Sequence, residues 1–477
     1  MALHAVNGRW TGDFWEHAAV VRELATHPWA PLNPILDSDA PHAFFTPYSL
    51  TVALIARTLD LTPVTALAVA GMFNLLAFLL VYPWFVRMLF RDVDHDTVAF
   101  YSLLLVLLLW GRRAWFWSGF MHVFVLGYAL PYPSTFAFVL TLVTTASLLA
   151  WTKDRRRRWL YIVFPSMVLV VLTHPITAIG MFVVAFWILV ADGRWSILKA
   201  VGVAGAALLG TLLVAQLWPY YNLAILLLQS SSDFHAVNRE MYVNVLSRVA
   251  PALVGIPLIA WRLFKNRRDV LGLSFLSLAG LYLAGTVTEL WGLGRVISMA
   301  MIILQLVIGW ALAVTEKTLA TIVPTRAVVT QTMLSALVAY VLLFRINPTT
   351  IPRLRDLARR TVPEYLEYTF LARLTGQYDV VVADPLSGWP VPAWGGKVVA
   401  SLQPLAFISD HQQRRELLRG FFAADTPDEE RRAFLARYGV DYVLLNRSRQ
   451  PAPLFEMLSR VGEPIHDDSR FLLLRTR

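Results

Sequence analysis

The chain has 477 residues, 57% of them hydrophobic and only 16% charged, with a mean hydropathy of +0.55. That composition excludes an ordinary soluble domain and reads as a polytopic α-helical membrane protein. The net charge of +10 sits in short loops between apolar runs, where it sets membrane orientation rather than nucleic-acid binding, and zero cysteines exclude disulfides, thiolate metal sites and cysteine nucleophiles.

Residues 1–62 precede the first apolar span. Within GRWTGDFWEHAAVVRELATHP, Asp13, Glu16 and His17 lie three and four residues apart, so a helix opened by Asp13 carries them on one face. Carboxylates at the mouth of a membrane bundle are costly unless they do something. The plainer reading is a helix cap, because Asp followed by Glu three residues on is a capping-box pattern worth about 1 kcal/mol. Asp37, Asp39 and His42 could bind a divalent ion, but acids between Pro34 and Pro41 also read as a solvated turn. PHAFFTPYSLTVALIARTLDL carries Thr46, Ser49, Thr51, Arg57 and Asp60, and is expected to lie in the outer interface rather than to span.

About ten spans follow in a bundle over 63–346, near 64–85, 97–110, 134–151, 159–172, 176–191, 197–217, 249–263, 270–287, 296–314 and 327–344. The basic turns at 153–158 and 262–268 should be cytoplasmic. Counting outward from them puts the N-terminal segment, the loops 111–132 and 218–247, the turn TELWGLGR and everything after residue 346 outside the cell. The count requires a break at Thr173, His174 and Pro175. Runs 97–110 and 159–172 are about 21 Å long at 1.5 Å per residue, against a hydrocarbon core of about 30 Å, which would leave a hydrated cavity on the outer side.

Several outer residues have both a bland and a sharp reading. His174 either bonds backbone groups freed at the helix break or reaches an anion. Arg295 is either half of a surface pair with Glu289 or a phosphate clamp. Arg112 and Arg113 sit beside Trp110, Trp115 and Trp117 as snorkelling cations of an aromatic belt or as lipid-phosphate contacts. Trp218, Tyr220 and Tyr221 read as the same belt or as a sugar-stacking platform.

Residues 347–477 alternate strand-like runs (YDVVVAD, GKVVAS, VDYVLLN, FLLLR) with helical patterns over 410–422 and 427–438, the mark of a small α/β domain. It holds no phosphate-binding glycine loop, metal spacing or nucleophile elbow, so packing or partner recognition is its plain role.

This layout resembles the GT-C superfamily of membrane glycosyltransferases. DFWEHAAVVRELATHP and FFTPYSLTVALIARTLDL look like the family's acidic juxtamembrane helix and following interfacial helix. Gly294 with Arg295, and His174 with Pro175, are similar to its later outer-end motifs, and DPLSGWPVPAWGGKVVAS with RYGVDYVLLN to its soluble tail. The family's first transmembrane helix, expected ahead of the acidic segment, is lacking in this sequence. Many members carry adjacent acids or Asp-x-Asp where this chain has Asp13 and Glu16, and Asp37 with Asp39 is the rival pair.

The resemblance implies an enzyme of the cell envelope in a bacterial or archaeal membrane. It would move a sugar from a polyprenyl-phosphate donor to a glycan, lipid or protein acceptor on the outer face, with inversion; no cofactor is certain, and a divalent cation is an option. Asp13 would be the base, with Glu16 or His17 orienting it, and Arg295, His174, Arg112 and Arg113 would hold the phosphate. The competing expectation is a non-catalytic transporter of lipid or glycan, or a structural subunit. No internal repeat supports that alternative.

Overall fold

The computed structural model describes residues 10, 12–90, 93–228, 236–322, 327–359 and 367–476. It separates into two compact units: one built from Ala70–Trp218 and His235–Thr361, the other from Ala5–Val69, Pro219–Phe234 and Val362–Arg477.

The first unit is a helical bundle. Among the described residues, six helices of the chain are long and apolar enough to cross a membrane: Pro63–Leu89, Pro133–Asp154, Ile197–Gln216, Val245–Lys265, Val270–Thr288 and Trp291–Ile322. A seventh candidate is the pair Gln331–Ile346 and Thr350–Asp356, bent by 75°. Of the ten expected runs, 97–110, 159–172 and 176–191 form the shorter helices His95–Leu108, Leu160–Thr173 and Pro175–Ala191. Run 249–263 starts as a 3₁₀ stretch, Ala250–Gly255, before becoming α-helical at Ile256. The expected break falls at His174, whose Nδ1 accepts from the Thr177 N–H at 3.3 Å and lies 2.7 Å from the Thr177 hydroxyl. The first turn of Pro175–Ala191 is thereby capped by a side chain, which satisfies a donor that the break exposes.

Packing inside the bundle depends on small residues. A Cβ on Gly309 would lie 2.6 Å from the Ser102 amide nitrogen, so only glycine lets Trp291–Ile322 approach His95–Leu108 this closely. Three polar contacts in this interior are side chain to side chain or back to the helix. Tyr82 donates to Ser102, which donates to Val98 O, and Tyr101 donates to Glu316 at 2.6 Å. The basic turns are closed by the pairs Arg155–Asp192 and Arg262–Asp269, the latter bidentate.

The second unit is built on a five-stranded sheet. Its strands are β1 (Val380–Val382), β2 (Lys397–Val398), β3 (Val440–Asn446), β4 (Gly462–Asp467) and β5 (Phe471–Thr476), in the order β2-β1-β3-β5-β4. β2, β1 and β3 are parallel, whereas β5 runs antiparallel to β3 and β4. Sequence patterning missed β4, because it is an edge strand with exposed polar residues and Pro464, and carries no alternation. The central strands read as continuous apolar runs because both faces are buried. Val380, Val382, Val443, Leu445, Leu472 and Leu474 face a core closed by His411–Phe421, Asp428–Arg437 and Ala452–Leu458. The alternate residues Val381, Tyr442, Leu444 and Leu473 share a second core with Ala19, Ile35 and Leu36.

The N-terminal segment is therefore a layer of this unit. Leu36 bridges Val398, and the Val398 amide donates to Ile35 O at 2.8 Å, so residues 35–36 cover the free edge of β2. A buried charge pair fastens the layer. The Glu23 carboxylate accepts from Lys397 Nζ at 3.3 Å, from Gln377 Nε2 at 2.9 Å and from the Leu32 N–H at 2.9 Å, and Lys397 also donates to Asn33 O.

Candidate functional site

The acidic helix is Phe14–Thr26, with Asp13 at its N-cap position. The capping-box expectation is not met by Asp13: its backbone is already helical (φ −60°, ψ −5°) and its side chain makes no cap hydrogen bond. A carboxylate in that conformation cannot fold back onto its own helix N–H groups in the usual way. Glu16 is buried, 4% exposed, and accepts a hydrogen bond from the Trp389 indole N–H at 3.3 Å. Burial first, and the neighbouring Asp13 carboxylate second, push the Glu16 carboxyl well above the usual carboxylate range, while the Trp389 bond acts in the opposite direction.

Glu16 lines a small cavity together with Trp15, Trp389, Pro392 and Ser401. Its volume, about 10 Å³, is enough for about one water molecule. His17 is buried one residue on, with its ring stacked on Phe44 at 4.5 Å between centroids. Sequence reading put Asp13, Glu16 and His17 on one helical stretch; it did not identify Trp389. The only signal was that residue's place in DPLSGWPVPAWGGKVVAS.

The rival acids are arranged differently. Asp37 and Asp39 are exposed on a turn held by Asn33, whose Oδ1 accepts from the Ile35 and Leu36 amides at 3.0 Å each, and by Ser38, which accepts from Ala40 N–H. His42 is buried, and its Nδ1 accepts from the Phe44 N–H at 3.2 Å. Burial and the Lys397 charge hold His42 down at about 3. Among the described residues no three His, Asp or Glu side chains are placed to hold a metal ion. Asp37, Asp39 and His42 therefore do not fit the divalent site considered for them, because the imidazole points into the core while the carboxylates point out.

Of the aromatic trio, Trp218 and Tyr220 are half-buried and Tyr221 is buried. The Tyr220 hydroxyl donates to Pro28 O, and its ring tilts against Phe45 at 6.0 Å. Tyr221 packs on Phe407 at 6.3 Å, so protein rather than a sugar occupies its surroundings.

In the bundle, Arg295 lies on the 3₁₀ turn Trp291–Val296 that leads into the helix from Ile297. Its guanidinium stands 4.9 Å over the Trp117 ring and donates to Ser118 O at 3.3 Å. Stacking and a carbonyl anchor fix one side of the fork. His174 sits half-buried at the helix break. With Nδ1 accepting from Thr177, it has an N–H to offer at Nε2. Arg112 and Arg113 are exposed on the loop that starts at Gly111, whose N–H donates to Arg248 O at 2.8 Å and whose missing Cβ would lie 2.1 Å from Ser247 O. The loop closes through His122 Nε2 and Trp115 O, 2.8 Å apart.

No family model matches the chain, and no curated protein does. Among solved structures it is similar to the Archaeoglobus fulgidus oligosaccharyltransferase in complex with Zn and sulfate (TM-score 0.55, 13% identity, covering 94% of this chain and 65% of that one). It is also similar to ArnT from Cupriavidus metallidurans in the apo state (TM-score 0.54, 13% identity, 99% and 95%). A third is the archaeal oligosaccharyltransferase AglB from Archaeoglobus fulgidus in complex with an inhibitory peptide and a dolichol-phosphate (TM-score 0.53, 13% identity, 92% and 66%). The chain spans 65% of the length of the first of these. The chain thus shares its fold with an archaeal oligosaccharyltransferase and with ArnT.

Proposed function

We propose that the chain is a membrane glycosyltransferase that moves a sugar from a polyprenyl-phosphate-linked donor to an acceptor on the outer face of the membrane. The supporting observation is a pair of neighbouring acids: Asp13 makes no cap bond to its own helix, and Glu16 is buried and bonded by Trp389. A fold shared with an oligosaccharyltransferase, and with a protein seen in complex with a dolichol-phosphate, supports the donor class.

In this reading Asp13 takes the proton of the acceptor hydroxyl as its oxygen bonds to the anomeric carbon. The carbon–oxygen bond to the phosphate breaks, and the polyprenyl phosphate leaves with the electron pair. One displacement inverts the anomeric centre. Glu16 is held towards its neutral form by burial and by the Asp13 carboxylate. His17, locked on Phe44, orients the helix face. Arg295 meets the charge that develops on the phosphate, with His174 as a hydrogen-bond donor and Arg112 and Arg113 as exposed cations for the lipid phosphate. Residues 1–62 and 347–477 are taken as extracytoplasmic and 63–346 as the membrane part. Trp218 and Tyr220 remain the sugar-facing candidates.

The test is mass spectrometry of lipid-linked sugars in a deletion strain complemented with wild type or Asp13→Asn. A polyprenyl-phosphate sugar that accumulates on deletion should be cleared by wild type. It should persist with an equally expressed Asp13→Asn, whose rate is expected to fall by about 10²–10⁴-fold. Equal clearance would remove Asp13 from the chemistry, and no accumulation at all would favour a transporter or structural subunit.

A further inference from the structure

Within the bundle, the turns 153–159 and 192–199 carry charge that the proposed chemistry does not use. Four tryptophans meet there in two pairs. Trp84, near the end of Pro63–Leu89, stacks on Trp159 at 6.2 Å, and Trp151, near the end of Pro133–Asp154, meets Trp195 edge to face at 6.1 Å. A cation lies over three of these rings: Arg155 at 4.5 Å over Trp151, Arg158 at 4.7 Å over Trp159 and Lys199 at 5.5 Å over Trp195.

The acids nearby fix the turns and leave most of the positive charge over. Asp192 pairs with Arg155. Asp154 accepts from the Arg156 backbone N–H and from the Trp159 indole N–H, both at 3.0 Å, and its carboxylate lies 3.7 Å from Arg156 and 3.9 Å from Arg158. Arg155 adopts the left-handed conformation (φ +57°) that glycine usually supplies after a helix, so the ring stack and the ion pair hold an arginine where the backbone disfavours one. Among the described residues no carboxylate pairs with Lys153, Arg157, Arg194 or Lys199, all of them exposed. The basic turn at 262–268 is built differently, because its stacked arginine, Arg262, is committed to a bidentate bond with Asp269.

Beside these cations the surface turns apolar. Tyr161 is 76% exposed and Leu198 84%. Ile197–Gln216 is the least buried of the six membrane-crossing candidates, with 11% of its apolar stretch inside the protein. A ligand that satisfies both parts needs an anionic group at the helix ends and a long apolar tail alongside the helix. Free phosphate has only the first, whereas an acidic glycerophospholipid has both.

We propose that these turns bind the headgroup of an acidic phospholipid. Lys153, Arg157, Arg158 and Lys199 meet its phosphate oxygens, the indoles of Trp159 and Trp195 lie at headgroup level, and an acyl chain runs along Ile197–Gln216. A guanidinium with one face on an indole keeps its N–H edge for a phosphate, and a cation already held in place loses less freedom on binding. Orientation in a membrane needs the charges of a basic turn but not their mounting on rings from several helix ends. The site belongs to the bundle alone and is independent of the glycosyl-transfer reading.

Native mass spectrometry of the full chain in detergent, titrated with phosphatidylglycerol or with phosphatidylcholine of the same acyl chains, tests the site through the ratio of lipid-bound to free protein. Phosphatidylglycerol is expected to bind several-fold better, and inorganic phosphate at the same concentration should not displace it. Lys153→Gln with Arg157→Gln should bring the two lipids to parity. Trp159→Leu with Trp195→Leu, which keeps every charge, should weaken the preference several-fold. Lys265→Gln with Arg267→Gln, which removes the same charge from the other basic turn, should leave it intact. Equal losses in the two charge variants would reduce the effect to net charge and overturn the proposal, as would an unchanged preference in the tryptophan variant, displacement by inorganic phosphate, or no preference in the wild type. The tryptophan variant keeps the test decisive if the charge variant fails to elute as a monodisperse protein.

Discussion

The two units place their charged groups by different rules. In the bundle, the pairs that close turns join residues near in sequence or at the ends of adjacent helices, as Arg262 with Asp269 and Arg155 with Asp192 do. In the sheet-containing unit the decisive pairs are remote: Glu16 meets Trp389 and Glu23 meets Lys397, separated by 373 and 374 positions. The bundle's charges sit where the membrane forces them, at the ends of apolar helices. Those of the other unit are drawn into an interior that exists only once the chain's two ends have met, and there burial raises the Glu16 carboxyl and lowers the Lys397 ammonium.

The sharpest way to break this comparison is to separate the ends. A fragment of residues 347–477 alone is expected to expose Val381, Tyr442, Leu444 and Leu473, and so to aggregate or bind a hydrophobic dye. Adding residues 1–62 in trans or by fusion should restore a soluble monomer, as size-exclusion chromatography would report. A monomeric, dye-silent fragment would mean that the N-terminal layer is an accessory.

Next in size is the charge pair. Lys397→Ala strands Glu23 in the interior and is expected to cost about 3–5 kcal/mol, seen as a lower thermal midpoint. The double variant Glu23→Gln with Lys397→Met removes both charges and should recover most of that loss. No difference between the single and the double variant would show that the pair does not act as a unit.

A smaller effect follows from the sign of the Glu16 shift. A carboxyl raised in the folded state contributes most below its unfolded value and loses stability as pH rises through its folded value. Glu16→Gln, which still accepts the Trp389 bond, should therefore gain thermal stability over wild type at about pH 8 and lose that advantage towards about pH 4. A pH-independent difference would place Glu16 in a wetter environment.

The smallest is Trp389→Phe. Losing the indole donor removes an influence that lowers the Glu16 carboxyl, so the acid–base limbs of the pH–rate profile should move upward with little change in fold. An unmoved profile would separate Glu16 from turnover.

Much of the candidate site was legible locally. The spacing of Asp13, Glu16 and His17, the break at His174 and the basic turns all depend on neighbours in the chain, and helical periodicity reads such neighbours directly. What the spacing could not tell was whether Asp13 caps its helix, since capping-box residues are the same whether or not the backbone adopts the cap conformation. Strand β4 stayed invisible because edge exposure erased its pattern, and the metal-like trio of Asp37, Asp39 and His42 came apart because His42 turned inward.

The sequence by itself determined the membrane class, the apolar helices and the alternating elements of the C-terminal part, because hydrophobic periodicity is a local property that each segment carries alone. Only the tertiary structure decided that residues 14–36 form a layer of the C-terminal sheet, that Trp389 and Lys397 reach Glu16 and Glu23, and that Trp29 is left bare. Those outcomes rest on contacts across more than 350 residues, or on what no contact covers, and local pattern encodes neither.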